Sequence, residues 1–395
     1  MDKNAFYEEL LELAGLRVDG VEQTATRVVV SCHFPAASGQ CPQCAQATAH
    51  VHQYTTRMVR DLNILHRETW LHLRVKRFVC VVCTCYFSQG FPFAAAHKSY
   101  THRQARWLFD CCARQPFAAV GALVNMVAKT VERIYYEHGR RHLHLAARYA
   151  HVRRLGIDEI AHRKGKGDYC CVLTDLDRNI QLDILPNRTQ ATLIAHFEAL
   201  GPIFCQQIQA VSCDMWPAYR RASLACFPNA RLVIDRFHVV KALNQALDRH
   251  RQDLRKRTPK EPVFKDLKWT LFKAWPDVRE AHTLQAACAK DRALEELVGL
   301  RQQFHALFEV APDATWLYNQ LTTWTKEAHM LALPVLAPFL KTLANWQEHI
   351  ANFAESRLTN AATEGLNNII RYVKRISFGL PNFEHMRLRV LLNHD

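Results

Sequence analysis

Two short cysteine pairs place the strongest constraint on how this chain can fold. Cys41 and Cys44 lie in a CPQC motif, Cys80 and Cys83 lie in a CVVC motif, and each motif adjoins an alternating segment typical of a strand. Thiols at this tight-turn spacing supply the four soft ligands of tetrahedral zinc. The sequence therefore predicts one structural Zn²⁺ held by these four cysteines in a zinc ribbon.

Alternative residues are possible at one or two of the four zinc-ligand positions. Cys85 closely follows the second pair and could replace Cys83, and His50 or His52 could replace one thiolate. The alternative reading is that the cysteines are unrelated core residues, because free cysteine often behaves as a small buried hydrophobe.

Charge narrows the class of partner. The chain has 395 residues, with 51 Lys and Arg against 37 Asp and Glu. This balance favours a polyanion, most commonly nucleic acid, although a soluble surface of high pI is the plainer alternative. No run of 18 apolar residues is present and the first residues are acidic and helical, so we expect a cytoplasmic protein without a membrane partner. The length indicates two to four domains.

Residues 97–150 read as three helices, with a turn near Asn125 and Met126. A short helix, a turn of this length and a second helix form the pattern of a helix-turn-helix DNA-binding motif. In that geometry the second helix presents its first residues to the major groove, namely Lys129, Thr130, Glu132 and Arg133. An ordinary three-helix bundle is the alternative.

The hydrophobic period changes to that of strands after residue 150. Five strands are predicted, in VRRLGIDEIAH, DYCCVLTDLD, NIQLDILP, IQAVSCD and ARLVIDRFHVV, with helices in TQATLIAHFEALG and WPAYRRASLACF. Three strands in hairpin succession, followed by alternating helices and strands, have the order of the ribonuclease H fold.

The following stretch, residues 241–355, reads as an inserted all-α domain. We expect its aromatic residues to pack in a core, with base stacking by one of them as the alternative. These residues include Trp269, Trp275, Trp316, Trp324 and Trp346.

Two carboxylates are expected to meet at the sheet. In the ribonuclease H arrangement the first and fourth strands are neighbours, so Asp158 on the first strand and Asp214 at the end of the fourth come close together. Phosphodiester cleavage needs stabilisation of the attacking and the leaving oxygen at once, and a pair of Mg²⁺ ions roughly 4 Å apart provides it. Asp and Glu supply the oxygen ligands that such hard cations require. We therefore predict a site for two Mg²⁺ or Mn²⁺ ions here.

A third carboxylate is needed to close this site, and Glu364 fits on local grounds. It lies on a predicted helix whose polar face combines a possible ligand with amides and cations. The residues predicted to bind DNA from this face and its extension are Asn367, Arg371, Lys374 and Arg375, with Asn368 beside them. Taken alone, such a stripe is more often a solvated helix face.

The remaining acids are weighed by their position. Asp235 ends the fifth predicted strand near the same sheet edge, so we expect it to support the site, and His238 could hydrogen-bond or bind metal there or be structural. Glu159 should point to the opposite face of the sheet. Asp175 and Asp177 have the chemistry of a hairpin turn.

These blocks of sequence resemble the ISL-three family of insertion-sequence transposases, bacterial DDE enzymes with an N-terminal zinc ribbon. The resemblance covers nearly the whole chain and is carried by the two cysteine motifs, GIDE, VSCDMWPAY, PNARLVIDRFHVVKALN and NAATEGLNNIIRYVKRISFGLPNFEHMRLRVL. It implies Mg²⁺-dependent cutting at transposon ends and joining of the 3′-hydroxyl to target DNA, with Asp158, Asp214 and Glu364 as the catalytic, metal-binding triad. It also implies that Asp235 and His238 form a D-x-x-H pair.

The resemblance and the predicted elements together give an expected fold class and expected partners. We expect a multidomain α/β protein with a zinc-ribbon region at 1–96, a helix-turn-helix at 97–150, a ribonuclease H-like catalytic core at 151–240 with its last helix at 356–395, and the all-α insertion between them. Double-stranded DNA, as transposon ends and target, is the expected partner of a nucleoid-associated homodimer or larger assembly. The alternatives are a non-catalytic DNA-binding regulator derived from a transposase and a nuclease without strand transfer.

Overall fold

The computed structural model describes residues 2–163, 167–265, 267–273, 276–378, 380 and 382–393. The chain forms two compact units. The first comprises the chain up to Leu143 together with Tyr372–Asn393, and the second comprises His144–Arg371. The predicted zinc-ribbon and helix-turn-helix regions thus share one unit, and the predicted core and insertion share the other. The predicted segment 356–395 is divided between the two.

The N-terminal part of the chain combines a sheet with short helices. Its elements are α1 (Lys3–Leu11), β1 (Arg17–Gln23), β2 (Arg27–His33), β3 (Gly39–Gln40), β4 (Ala47–Thr48), β5 (Val51–Ile64), β6 (Arg67–Val79), β7 (Tyr86–Ser88), α2 (His102–Arg114), α3 (Phe117–Val124) and α4 (Ala128–His142).

The remainder alternates strands and helices before it becomes helical. Its elements are α5 (Leu145–Tyr149), β8 (Arg154–Arg163), β9 (Asp168–Asp175), β10 (Ile180–Leu185), α6 (Gln190–Leu200), α7 (Pro202–Gln207), β11 (Ala210–Cys213), α8 (Pro217–Cys226), β12 (Arg231–Ile234), α9 (Arg236–Arg257), α10 (Leu267–Phe272), α11 (Val278–Cys288), α12 (Arg292–Val310), α13 (Ala314–Met330), α14 (Ala337–Ala351), α15 (Phe353–Ser356), α16 (Ala361–Ile376) and α17 (Phe383–Leu391), with 3₁₀ turns at Pro262–Phe264 and Pro334–Leu336.

The sheet of the first unit has the strand order β1-β2-β6-β5, and β7 pairs with β6. Burial alternates along β2, whose Val28, Val30 and Cys32 face the core, because successive side chains of a strand point to opposite faces. These residues pack with Leu71 and Leu73 of β6. The strands predicted in TRVVVSCHF and ETWLHLRVKRFVC are therefore confirmed.

Helices α2, α3 and α4 follow this sheet, as predicted. Asn125 ends α3 in the left-handed region, with φ of 52°. A Cβ on Gly121 would lie 2.5 Å from the Met126 carbonyl oxygen, so only glycine permits the tight turn between α3 and α4. The buried side chains of Leu108, Val120 and Ile134 fill the space between the three helices. Local sequence therefore determined both the helices and the turn.

A buried ion pair fastens the turn to the sheet. Arg60 of β5 is 2% exposed, lies 2.9 Å from the Glu68 carboxylate of β6 and donates a 2.6 Å hydrogen bond to the carbonyl of Val124. Asp61, the next residue, accepts a 2.7 Å hydrogen bond from the hydroxyl of Thr101, which caps α2. Because these buried polar groups satisfy one another, the sheet and the helices form one body within the first unit.

The second unit contains a five-stranded sheet with the order β10-β9-β8-β11-β12. Strands β8, β9 and β10 are antiparallel, whereas β11 pairs parallel with both β8 and β12. All five predicted strands are present. The last one is shorter than predicted, because β12 ends at Ile234 and Asp235 caps helix α9, so that FHVV is helical.

The predicted all-α segment is helical and has a large aromatic core. Trp324 is 3% exposed and donates a 2.9 Å hydrogen bond to the Leu300 carbonyl, and Trp346 is also buried. Trp316 is half-buried against the same core. The prediction is wrong for Trp269, which is 70% exposed because the short helix α10 buries its other face. Trp275 lies outside the described residues.

The helices of the described segments are either short or amphipathic. No helix among them is both long and apolar enough to cross a lipid bilayer.

Candidate zinc centre and candidate active site

The two cysteine motifs fold into matching turns. In the first, the Cys41 N–H donates to the Gln46 carbonyl and the Ala45 N–H donates to the Cys41 carbonyl, both at 2.9 Å. In the second, the Cys80 N–H donates to the Cys85 carbonyl at 2.9 Å and the Thr84 N–H donates to the Cys80 carbonyl at 3.0 Å. Ala45 and Thr84 both have positive φ, near 59° and 58°. The same knuckle is therefore built twice.

The four predicted thiols converge. The Sγ atoms of Cys41 and Cys83 lie 3.5 Å apart, as do those of Cys44 and Cys80. All four ligand atoms lie within 4.8 Å of one another. Zn–S bonds of about 2.3 Å in a tetrahedron require sulfur atoms about 3.8 Å apart, so this donor set fits one zinc ion.

Backbone dipoles prepare two of the thiols to bind a cation. Burial disfavours the Cys41 thiolate, but the backbone N–H groups of its own turn outweigh burial and lower the pKa of Cys41 to about 6. The backbone N–H groups of the second turn lower the pKa of Cys80 in the same way. A thiolate is the form that binds metal, so Cys41 and Cys80 favour the ligand state. At Cys44 and Cys83 the backbone hydrogen bonds are outweighed by burial and the neighbouring thiols of the cluster, which raise the pKa of both.

The choice between Cys83 and Cys85 follows from the matching turns. Cys85 occupies the position of Gln46 in the first knuckle, where its carbonyl closes the turn and its Sγ lies 3.8 Å from the Tyr86 carbonyl. The described His50 and His52 are not part of the converging set. The matching turns and the converging thiols therefore favour Cys83 over Cys85 as the candidate fourth ligand.

In the second unit, strand pairing brings Asp158 and Asp214 together. Ile157 of β8 is the register partner of Cys213 of β11, and each aspartate is the next residue in its chain. Because the two strands run parallel, the two carboxylates lie next to each other at the carboxyl end of β11. Burial and the charge of Asp214 raise the pKa of the Asp158 carboxyl to about 6, which is what close carboxylates in a poorly solvated site produce.

A histidine from helix α9 faces this pair. The Nε2 atom of His238 lies 2.9 Å from Oδ1 of Asp214, an ion-pair distance without hydrogen-bond alignment, so this buried oxygen lacks a hydrogen-bond partner among the described residues. Burial disfavours the charged imidazole, but the nearby Asp214 raises the pKa of His238 above its ordinary value. When protonated, His238 offsets part of the repulsion between the aspartates.

Asp235 supports the site through the backbone. Its Oδ1 accepts a 3.0 Å hydrogen bond from the Phe237 N–H and caps α9, and its Oδ2 accepts a 3.1 Å bond from the Asn360 N–H. Asp235 thus orients both the helix that carries His238 and the start of α16. Asn360 was missed by sequence reasoning, although a lone Asn just before a helix is a usable signal of a cap.

The polar stripe on α16 divides into two parts. Asn367 is 3% exposed and donates a 2.7 Å hydrogen bond to Oδ2 of Asp158, so its side chain contacts the carboxylate rather than the surface predicted for DNA. Arg371 is exposed and donates a 2.7 Å bond to the Asn368 side chain. Further along the helix, Lys374 is half-buried and Arg375 is exposed.

Glu364 occupies the first turn of α16 and is exposed. Its carboxylate has no hydrogen-bond or ion-pair partner within the described part of the chain. Among the described residues only the four cysteines form a set of three or more ligand side chains within 4.8 Å, so Glu364 does not converge with the aspartates at that distance. Glu364 therefore lies on the helix that contacts Asp158 through Asn367, but its own carboxylate is not part of that contact.

The other weighed acids have structural partners. Glu159 forms an ion pair with Arg188 and accepts a 3.4 Å hydrogen bond from the Tyr219 hydroxyl. Asp175 accepts bonds from the N–H groups of Asp177 and Arg178, at 2.9 and 3.2 Å, in the turn between β9 and β10. The hairpin prediction for Asp175 and Asp177 is confirmed.

The predicted groove-facing residues begin helix α4. Lys129 and Arg133 are exposed and Thr130 is half-buried. Arg133 lies 3.8 Å from Glu137, and Glu132 lies 3.0 Å from the His385 ring of α17. Lys129 and Arg133 therefore keep accessible positive charge on one side of this helix.

The aspartate pair fits a hard divalent cation. Carboxylate oxygens are the ligands that Mg²⁺ and Mn²⁺ prefer, and within the described residues Oδ1 of Asp214 is buried with His238 at ion-pair distance and no aligned hydrogen bond. A bound cation would supply the positive charge that these neighbouring carboxylates lack.

The ligand assignment in the second knuckle can be tested by zinc content. We expect Cys83→Ala to lose the bound zinc, because it removes one of the four converging thiols, and Cys85→Ala to retain about one zinc per chain. Zinc released by denaturation can be measured with a colorimetric chelator. Loss of zinc from Cys85→Ala and retention by Cys83→Ala would reverse the assignment.

The raised pKa of Asp158 predicts a dependence of stability on pH. The folded chain binds this proton more tightly than the unfolded chain, so the free energy of unfolding falls as the pH rises from about 4 to about 6. In EDTA at pH 7 we expect Asp158→Asn to be more stable than the parent by about 1–3 kcal/mol, with little difference at pH 4. Urea unfolding at both pH values measures this, and an equal difference at both would show that ionisation is not the cause.

Comparison with known proteins identifies the family. A family profile described as a transposase matches residues 155–390. A second, described as the zinc finger of the transposases of IS204, IS1001, IS1096 and IS1165, matches residues 37–83.

Two transposases illustrate the similarity. The chain is 27% identical over 360 residues to the transposase for insertion sequence element IS1001 of Bordetella parapertussis, which covers 89% of this chain and 87% of that protein. It is 25% identical over 322 residues to the transposase for insertion sequence element IS1557 in two strains of Mycobacterium tuberculosis, covering 73% of this chain and 70% of those proteins. Because the transposase profile spans more than half of the chain, the chain belongs to the ISL-three family of insertion-sequence transposases.

Proposed function

We propose that the second unit is a ribonuclease H-like core that cuts DNA at the ends of an insertion sequence and joins the 3′ ends to target DNA. The observation that carries the proposal is the parallel pairing of β8 with β11, which holds Asp158 and Asp214 at one sheet edge. The three-strand antiparallel meander followed by two parallel strands is the order expected of that core.

Asp158 and Asp214 would hold the divalent cations, with Glu364 as the third carboxylate. Two bound Mg²⁺ or Mn²⁺ ions supply charge stabilisation to the attacking and leaving oxygens of a phosphodiester. The nucleophiles are water in cleavage and the DNA 3′-hydroxyl in joining, so no protein nucleophile is required. Support for Glu364 comes from its position on α16, the helix whose Asn367 side chain contacts Asp158.

His238 and Asp235 would arrange the site without reacting. The ion pair with His238 holds Asp214 at the sheet edge in the absence of cations. Asp235 fixes the first turn of α9 and the residue before α16. We propose that this pair keeps the ligands from separating while the site has no cation.

The first unit would bind the terminal inverted repeats. Helices α3 and α4 and their tight turn support a helix-turn-helix, with Lys129, Thr130 and Arg133 toward DNA. The zinc knuckles belong to the same body. Arg371, Lys374 and Arg375 would contact phosphates, and Asn367 would act through Asp158 instead. Since two transposon ends must be held together, we propose a dimer or larger assembly on DNA.

Cleavage of transposon-end DNA tests the catalytic proposal. We expect Asp158→Ala, Asp214→Ala and Glu364→Ala each to reduce Mg²⁺-dependent cleavage at least 100-fold, because each removes a cation ligand, with end binding unchanged within about twofold. Asp253→Asn, an exposed acid on α9, is the matched control. Binding by the parent without any cleavage in Mg²⁺ or Mn²⁺ would favour the non-catalytic regulator.

End binding tests the helix-turn-helix. Lys129→Ala should weaken binding to terminal-repeat DNA and lower the slope of log K against log salt by about 1 if Lys129 contacts a phosphate. Lys341→Ala, an exposed lysine on α14, should leave both unchanged. Electrophoretic mobility shifts at several salt concentrations measure the effect, and equal results for the two variants would count against the assignment.

A further inference from the structure

Both oxygens of the Asp158 carboxylate are already engaged by the protein. Oδ1 accepts a 2.7 Å hydrogen bond from the Glu159 N–H, and Oδ2 accepts a 2.7 Å bond from the Asn367 side chain. Each carboxylate oxygen has two lone-pair sites. The two bonds therefore fix the plane of the carboxylate and leave one acceptor site on each oxygen.

The orientation of the Asn367 amide is settled by its neighbour. A carboxylate only accepts hydrogen bonds, so the amide nitrogen must face Asp158, because the reversed amide would place two oxygens at 2.7 Å. The Asn367 oxygen is then buried without a hydrogen-bond partner among the described residues. Burying such an oxygen costs about 1–3 kcal/mol.

Other polar residues at the start of α16 also lie against strand β8. Asn360 donates a 3.3 Å hydrogen bond to the Ile157 carbonyl. A Cβ on Gly156 would lie 2.9 Å from the Thr363 hydroxyl, so only glycine allows helix and strand to approach this closely. The oxygens of Asn360 and Thr363 also lack partners within the described part of the chain. An apolar helix face would avoid these costs, so packing alone does not explain a polar one.

We propose that Asn367 is a positioning residue that orients the Asp158 carboxylate for a divalent cation. The inference rests on the proposed function, since it requires that Asp158 binds the cation. The amide fixes the ligand before the cation arrives, so its loss allows the carboxylate to rotate and weakens cation binding. Outer hydrogen bonds of this kind typically change metal affinity 10- to 100-fold.

Binding of Mn²⁺ to the full chain without DNA tests the proposal. Asn367→Leu has a similar volume and removes both the amide donor and the unpartnered oxygen. We expect its Mn²⁺ dissociation constant, measured by isothermal titration calorimetry, to rise at least about 10-fold. Its melting temperature in EDTA verifies that the variant is folded at the assay temperature, since loss of the amide donor and removal of the unpartnered oxygen have opposite effects on stability. Asn368→Leu, the exposed neighbour on the same helix, is the matched control and should bind Mn²⁺ as the parent does.

Cleavage gives a second readout. If Asn367 acts through the cation ligand, cleavage of end DNA by Asn367→Leu should recover toward the parent rate as Mn²⁺ approaches saturation. A purely structural role would lower the rate by the same factor at every Mn²⁺ concentration, saturation included, and leave the Mn²⁺ dissociation constant unchanged, which would overturn the proposal.

The Asp158→Ala variant distinguishes failure of this inference from failure of the proposed function. Loss of Mn²⁺ binding in Asp158→Ala with unchanged binding in Asn367→Leu would disprove the positioning role alone. Unchanged binding in Asp158→Ala would remove the proposed cation site itself.

Discussion

The parallel pairing of β8 with β11 is the constraint on which the second unit depends. It places two carboxylates at neighbouring positions in a poorly solvated site, and their repulsion with burial raises the pKa of Asp158. The surrounding groups reduce this cost. When protonated, His238 supplies positive charge to Asp214, while the Glu159 backbone and the Asn367 amide donate to Asp158. A bound cation would offset the repulsion between the carboxylates that these contacts leave.

The long helical insertion does not disturb this arrangement because both of its ends are held at the sheet. It begins at α9, which Asp235 caps at the end of β12. It returns where Asn352 donates a 2.8 Å hydrogen bond to the Leu232 carbonyl and Glu355 lies 3.0 Å from Arg231. Residues in or next to β12 thus hold the chain both where the insertion begins and where it ends. Helix α16 can then meet β8 although some two hundred residues separate Asp158 from Asn367.

The two candidate metal centres illustrate different ways to prepare a site. The cysteine knuckles converge completely, and backbone N–H groups favour thiolates at Cys41 and Cys80. That suits an ion that stays bound and holds a small sheet together. In the proposed carboxylate site, Glu364 does not converge with the two aspartates. That suits ions whose remaining ligands come from a substrate.

Local pattern in the sequence was sufficient for most elements and for the two cysteine knuckles. The CxxC spacing predicted the knuckles, the alternation predicted the strands, and the turn at Asn125 was visible in the helical pattern. These features depend on residues close in the chain, whose periodicity reflects one buried face. The sequence predictions failed at two local features, the burial of Trp269 and the end of β12. Trp269 is exposed because its helix is short, and FHVV is helical because Asp235 caps α9.

The sequence by itself therefore determined which residue types could bind zinc and divalent cations, and in which elements they lie. Only the tertiary structure decided which of them meet. It separated Cys83 from Cys85 through the equivalence of two turns, and it directed Asn367 inward to Asp158 while Glu364 remained exposed. The physical reason is that the hydrogen bond of Asn367 to Asp158 and the convergence of the four thiols both join residues far apart in the chain, and such contacts leave no periodic signal.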